Sequence, residues 1–197
     1  SKAAPNEEGE RGVIVTTADG VQHAFDRVIL ACHADHTLEL LKDATPLERT
    51  VLGEFKYQPN AAWLHTDESV MPRNRRAWAS WNYRSETDRS GVLRHQTIYW
   101  MNRLQGVSER TNYFVSINGQ HAVDPVTVLR KIDYEHPLFT VGAVDAQAQL
   151  PGLNSQSPDQ AVFFCGSYFR YGFHEDAFTS AVDVSQTILG GSPWREG

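Results

Sequence analysis

The chain has 197 residues, 41% of them hydrophobic and 21% charged, with a formal net charge of −6. Those proportions fit a globular chain of one or two small domains and exclude a disordered tail, a collagen-like repeat and a coiled coil. The acidity leaves no electrostatic footprint for nucleic acid, the longest apolar runs (Val28 to Cys32 and Ala161 to Cys165) cannot cross a bilayer as helices, and two cysteines make no disulfide framework. With a polar, Glu-rich stretch from Ser1 to Gly12 in place of a targeting segment, the expected compartment is a reducing cytoplasm.

In chain order, Gly12 to Thr17 and Gln22 to Phe25 flank Ala18-Asp19-Gly20, and Asp-Gly between β-branched runs predicts a hairpin. Arg27 to Cys32 is a continuous apolar run, short enough for a strand buried on both faces. A helical pattern follows through Leu38, Leu40 and Leu41. A second helix starts at Thr45-Pro46-Leu47-Glu48, where an N-cap, a first-position proline and a capping-box glutamate coincide, and Gly53 marks its end. From about Phe55 the character changes. Ala61 to His65, Ala77 to Tyr83, Gln96 to Asn102, Asn112 to Ile117 and Val126 to Tyr134 read as strands between polar spacers, which predicts an antiparallel sheet. Val141 to Leu150 reads as helix, Pro151 to Asp159 as loop and Ala161 to Cys165 as a second buried strand. Gly166 to Gly172 then reads as a turn before a helix from His174 to Leu189.

That last strand, turn and helix hold the chemistry the sequence offers. A helix entered at His174 presents free N–H groups beyond the strand tip, and Gly166 and Gly172 let a flat or anionic ligand approach the backbone. The pattern alone is better explained by a plain strand–loop–helix connection, with Glu175 and Asp176 complementing the helix dipole, since glycine turns of this kind are common. The scattered histidines show no recurring ligand spacing and no cysteine pair, so no metal site is expected. Gly166-Ser167 lacks the flanks of a hydrolase nucleophile elbow.

Phe163 to Ala181 resembles the C-terminal flavin-contacting motif of FAD-dependent amine oxidases and phytoene desaturases. Gly166 fits the glycine after the strand, and Gly172, Phe173, Glu175 and Ala177 fit the Gly-aromatic-x-Glu-x-Ala core. Phe25 to His33 resembles the family's strand leading into its substrate domain. Tyr57-Gln-Pro-Asn60, Leu64-His-Thr-Asp67, Trp78-Ala-Ser-Trp-Asn82, Tyr99-Trp-Met-Asn-Arg-Leu-Gln105, Tyr134-Glu-His-Pro137 and Gly172-Phe-His-Glu-Asp176 resemble a bacterial subgroup of NAD/FAD-binding, amine-oxidase-like proteins. The resemblance runs from about Gly12 to Leu189. No G-x-G-x-x-G occurs in the sequence, so it implies the C-terminal part of such a protein, lacking the dinucleotide-binding segment that grips the FAD pyrophosphate. Two positions depart from the family. Ser167 and Tyr168 stand where many relatives carry an acidic residue. Asn60 to Leu64 lacks the lysine of monoamine-oxidase-type members, Lys56 being several residues away and no nearby lysine substituting.

The expected fold is mixed α/β. Parts of a flavin-binding domain (residues 1–54 and 141–197) enclose an antiparallel substrate domain (residues 55–140). The resemblance implies an FAD-dependent oxidoreductase passing hydride between the flavin and an apolar, acyl-lipid-class substrate, with FAD held by the full-length protein and not by this chain alone. Expected cofactor-binding residues are Gly166, Ser167, Gly172, Phe173, His174, Glu175 and Asp176, with His174 also the candidate catalytic group. Expected substrate residues are Trp81, Tyr83, Tyr99, Trp100 and Phe173. Self-association through exposed strand edges is expected of the chain alone. The alternative is a non-catalytic lipid- or ligand-binding domain with an aromatic-lined cavity.

Overall fold

The turn at Asp19-Gly20 closes as its residues require: Gly20 adopts φ +84°, and the Thr17 N–H reaches the Val21 carbonyl at 2.9 Å. It joins β2 (Arg11–Thr16) to β3 (Gln22–Phe25), and β1 (Lys2–Pro5) adds a third antiparallel strand on the other side of β2. A computed structural model describes residues 2–5, 11–87, 91–155, 161–192 and 194, with side chains from Gly12 onward. The chain divides into two compact units, Ser1–Tyr57 with Pro137–Gly197, and Gln58–His136.

In the first unit, β4 (Val28–Leu30) leads through His33 into α1 (Ala34–Leu40), and α2 (Pro46–Gly53) follows. The capping box forms. Thr45 Oγ1 accepts the Glu48 N–H at 3.2 Å, and Glu48 Oε2 accepts the Thr45 N–H at 2.6 Å.

The chain crosses into the second unit along β5 (Lys56–His65) and continues through β6 (Trp81–Thr87), β7 (Leu93–Trp100), the short helix α3 (Met101–Gln105), β8 (Phe114–Ile117) and β9 (Val128–Leu138). These five strands form one sheet in the order β6-β7-β8-β5-β9, and the β6/β7, β7/β8 and β8/β5 pairs are antiparallel. One face packs against Val70, Met71, Trp78 and Val123, with Ile98 and Phe114 at its centre. Two local expectations change here. Residues 77–80 are not strand, because Asn74 caps a 3-10 turn over Arg75–Ala77, and the strand instead extends to Thr87. The chain after Trp100 turns into helix, whose end Gly106 closes at φ +63°.

The chain then returns to the first unit with α4 (Val141–Gln147), α5 (Leu150–Ser155), β10 (Val162–Phe164) and α6 (His174–Leu189). β10 pairs in parallel with β4, Phe163 opposite Ile29. The helices cover this pair with Val51, Leu52, Ala143, Ala146, Leu150 and Leu153. Two expectations are corrected. Residues 151–155 are helical, not loop, because Pro151 stands at the second helical position where no N–H is required; the rest of that predicted loop, through Asp159, lies outside the described residues. β10 is fully buried, whereas β4 is not buried on both faces: Ile29 is 47% exposed in a two-stranded sheet. The fold is mixed α/β, with helices and an antiparallel sheet. No helix among the described residues is long and apolar enough to cross a membrane.

Candidate functional site

The site is built from the tip of β10. Asn154 on α5 brackets Phe164, its Oδ1 accepting the Phe164 N–H at 2.8 Å and its Nδ2 donating to the Phe164 carbonyl at 2.9 Å. That side chain satisfies one edge of the strand just before it ends. At Gly166 the backbone needs a bare Cα, since a Cβ would lie 2.6 Å from the Tyr168 ring. Ser180 on α6 ties this point to the helix: its Oγ accepts the Gly166 N–H at 2.9 Å and donates to the Ala177 carbonyl at 2.8 Å. The turn from Gly166 to Gly172 then folds over Tyr168, which is 1% exposed and packs on Phe55 and Phe169. Burial raises the Tyr168 hydroxyl above the ordinary tyrosine range. Gln147 donates to the Tyr168 carbonyl at 3.1 Å and also to the Arg170 carbonyl.

Gly172 closes the turn at φ +90°, and a Cβ there would press within 3.2 Å of Phe139. Asp176 fixes the entry to α6: its Oδ2 accepts the N–H groups of Phe173 at 2.9 Å and Tyr171 at 3.2 Å. The result is an ordered turn bearing large rings on its outside, Tyr171 being 75% and Phe173 70% exposed. His174 and Glu175 are exposed beside them, at the first turn of α6, where the helix leaves N–H groups without internal partners.

Of the residues singled out in the sequence, Gly166, Ser167, Gly172, Phe173, His174 and Glu175 therefore lie along one turn and helix start. Asp176 is in the same place but serves differently. It is 8% exposed and its carboxylate faces the turn's own amides.

The second unit holds the other candidates. Strand alternation puts Trp81, Tyr83 and Tyr99 on one face of the sheet, with Trp81 opposite Tyr99. Trp81 and Tyr83 stack at 6.4 Å and are 54% and 56% exposed. Trp100 is on the opposite face, half-buried, edge-on to Trp78 at 5.2 Å and donating to Asn112 Oδ1 at 2.9 Å. Trp81 and Tyr83 therefore lie on an open face of the sheet. A separate cavity of about 320 Å³ in this unit is lined by both polar and apolar side chains, among them Arg84, Arg94, Gln96, His121, Leu93 and Ala122. β9 brings the Lys131 ammonium 6.0 Å from the centre of the Trp63 ring, a neighbour from 68 positions along the chain that only the sheet order reveals.

Several features had no sequence signal. The Asn154 and Ser180 anchors depend on the fold around them. So does the stack of His36, His33 and Tyr57, whose ring centres are 5.2 and 4.2 Å apart, with the Tyr57 hydroxyl accepting the Ala34 N–H at 2.9 Å. Burial pushes the Tyr57 hydroxyl up to about 12.

No family model matches the sequence, and no curated protein matches it. Among solved structures, a Rab GDI from Plasmodium falciparum aligns with 98% of this chain at 12% identity and a TM-score of 0.44. The chain spans 42% of that protein's length.

Proposed function

We propose that this chain carries the flavin-contacting, C-terminal part of an FAD-dependent oxidoreductase of the desaturase and amine-oxidase kind, acting on an apolar, acyl-lipid-class substrate. The observation that supports it most is the turn at the tip of β10: a glycine-lined backbone, exposed rings at Tyr171 and Phe173, and the open start of a 16-residue helix. Exposed aromatic rings around accessible backbone suit a planar, partly apolar ligand. The residues present fit a flavin. Gly166 and Gly172 let the turn pack tightly on Tyr168 and Phe139 and so hold it in place, Ser167 offers a hydroxyl in place of the family's carboxylate, and the first N–H groups of α6 suit the ring's polar edge.

In that reading FAD supplies the two-electron chemistry, accepting or returning hydride. The chain's own residues position and shield. Phe173 would cover a bound ring from water, and His174, exposed at the start of α6, would be the group able to hold or release a proton there. Asp176 and Ser180 act behind them by fixing the turn. Trp81, Tyr83 and Tyr99 give the second unit an apolar face suited to an acyl chain. The open exposure of that same face also favours a second reading, a non-catalytic lipid-binding domain.

One preparation separates the two. The longest natural reading frame containing this chain is purified and its flavin content measured, then Phe173→Ala and His174→Ala are compared with the parent. The proposal expects a yellow protein whose flavin is reduced by dithionite and whose FAD content falls at least about tenfold in Phe173→Ala, as the loss of an aromatic contact to the bound flavin would produce. A colourless protein that takes up no FAD, but binds fatty acid, overturns it in favour of the binding domain.

A further inference from the structure

We propose that His33, Asp35 and His36 form a binding site for a divalent transition-metal ion of the zinc type, independent of the flavin reading above. Each of the three offers one ligand atom, and all these atoms lie within 4.8 Å of one another. They follow the end of β4, on the loop and first turn of α1. Two neutral imidazoles and one carboxylate are a donor set suited to zinc, cobalt, nickel or iron, and unsuited to magnesium or calcium, which take oxygen ligands.

The geometry is close to what an ion needs. Metal–ligand bonds of about 2.0–2.1 Å at a tetrahedral centre place ligand atoms about 3.4 Å apart, so closure asks only for side-chain rotation. The ring centres of His33 and His36 are already 5.2 Å apart, about the separation of two imidazoles on one tetrahedral ion. Neighbouring groups orient the ligands, as outer partners do at metal sites. Tyr57 stacks on His33 with its centre at 4.2 Å, and the backbone N–H of His36 donates to Asp35 Oδ1 at 2.8 Å, which fixes the Asp35 carboxylate against the first turn of α1. That hydrogen bond also counters the positive end of α1, which alone would repel a cation. His36 is exposed and gives the ion a way in, and three protein ligands leave a coordination position for water. The sequence concealed the site because His-x-Asp-His is not a recurring metal spacing.

The test uses the chain without a histidine tag. Zinc is titrated calorimetrically near neutral pH, and cobalt(II) is added separately while its visible absorption is followed. The expected result is one saturable equivalent, with cobalt bands of an inner-sphere complex. Asp35→Asn and His36→Gln should each weaken binding at least about tenfold with an unchanged far-ultraviolet circular dichroism spectrum. His121→Gln, in the other unit, should leave it unchanged. Wild-type protein showing no saturable binding at micromolar concentration overturns the proposal. So does equal affinity in Asp35→Asn and His36→Gln, which would put the ion on others of the eight histidines.

Discussion

Asp176 shows how a residue chosen for one role serves another. A first-turn carboxylate in the sequence suggests a complement to the helix dipole or a contact to a cofactor. In the fold it accepts two backbone N–H groups of the turn before it, at 2.9 and 3.2 Å, and is 8% exposed. Removing it strands both donors. Asp176→Ala should therefore destabilise the first unit by about 1–3 kcal/mol, with Asp176→Asn milder because an amide oxygen still accepts. Urea denaturation followed by circular dichroism checks this; a change of only a few tenths would mean the turn is held otherwise. His65 and Ser116 give a second instance. Their side chains meet at 2.8 Å, as a nucleophile and base would. Yet His65 Nδ1 accepts the Asp67 N–H at 3.1 Å, so Nε2 carries the proton and donates it to Ser116. Such a histidine cannot take a proton from the serine. Both residues are fully buried. Asp67, two positions on, accepts the N–H groups of Ser69 and Asp124, and Asn102 binds the loop at Ser108, Thr111 and Tyr113. His65, Asp67 and Asn102 thus hold loops and strands in place, which a one-dimensional pattern cannot distinguish from chemistry.

At the level of elements, local rules read well where the cause is local. Thr45-Pro46-Leu47-Glu48 states a helix start completely, and both capping hydrogen bonds form. Thr45→Ala should cost about 1 kcal/mol, measurable as a lower urea midpoint, while Thr45→Ser should cost little because its hydroxyl still caps. An unchanged midpoint in Thr45→Ala would show that Glu48 alone secures the end. The 16-residue α6 was also legible, from its apolar spacing. What the sequence obscured was set by distant partners. The apolar run around Val28 reads as doubly buried, but how much of Ile29 is covered depends on which strands flank it. Lys131 reaches Trp63 only because β9 lies next to β5. Pro151 reads as a break, and only its place at the second position of α5 makes it compatible with helix. The candidate site divides in the same way. Its glycines and aromatic residues were visible, while Asn154 and Ser180, which hold the strand tip and the turn, sit in unremarkable sequence.

At the scale of the whole molecule, the two units have separate hydrophobic centres and separate reporters. Four of the five tryptophans (Trp63, Trp78, Trp81 and Trp100) lie in the second unit, while the longer helices lie in the first. Tryptophan fluorescence therefore follows one unit and helical circular dichroism chiefly the other. Acid should act on them unequally through His65. Burial lowers its pKa from 6.5 to about 4, against a smaller opposing pull from Asp67. Between those values the unfolded chain binds a proton that the folded unit does not, so stability rises with pH across the window. The contribution is fully present above pH 6.5 and is lost as pH falls towards 4. At about pH 5 the loss is about 1–2 kcal/mol after allowance for solvent screening. Asp67 does not mask it: burial pushes its carboxyl up, but hydrogen bonds from Asp124 and Ser69 together with His65 outweigh that and leave it below the usual range, outside this window. With a urea slope of about 1–3 kcal/mol per molar, the fluorescence midpoint should fall by about 1 M between pH 7 and pH 5. The circular dichroism midpoint should move less. His65→Gln, which cannot titrate, should remove most of the difference between the two pH values even if it lowers stability at both. Coincident transitions that shift together would show that the units unfold as one. A fluorescence midpoint insensitive to pH would show that His65 is not held neutral in the folded unit.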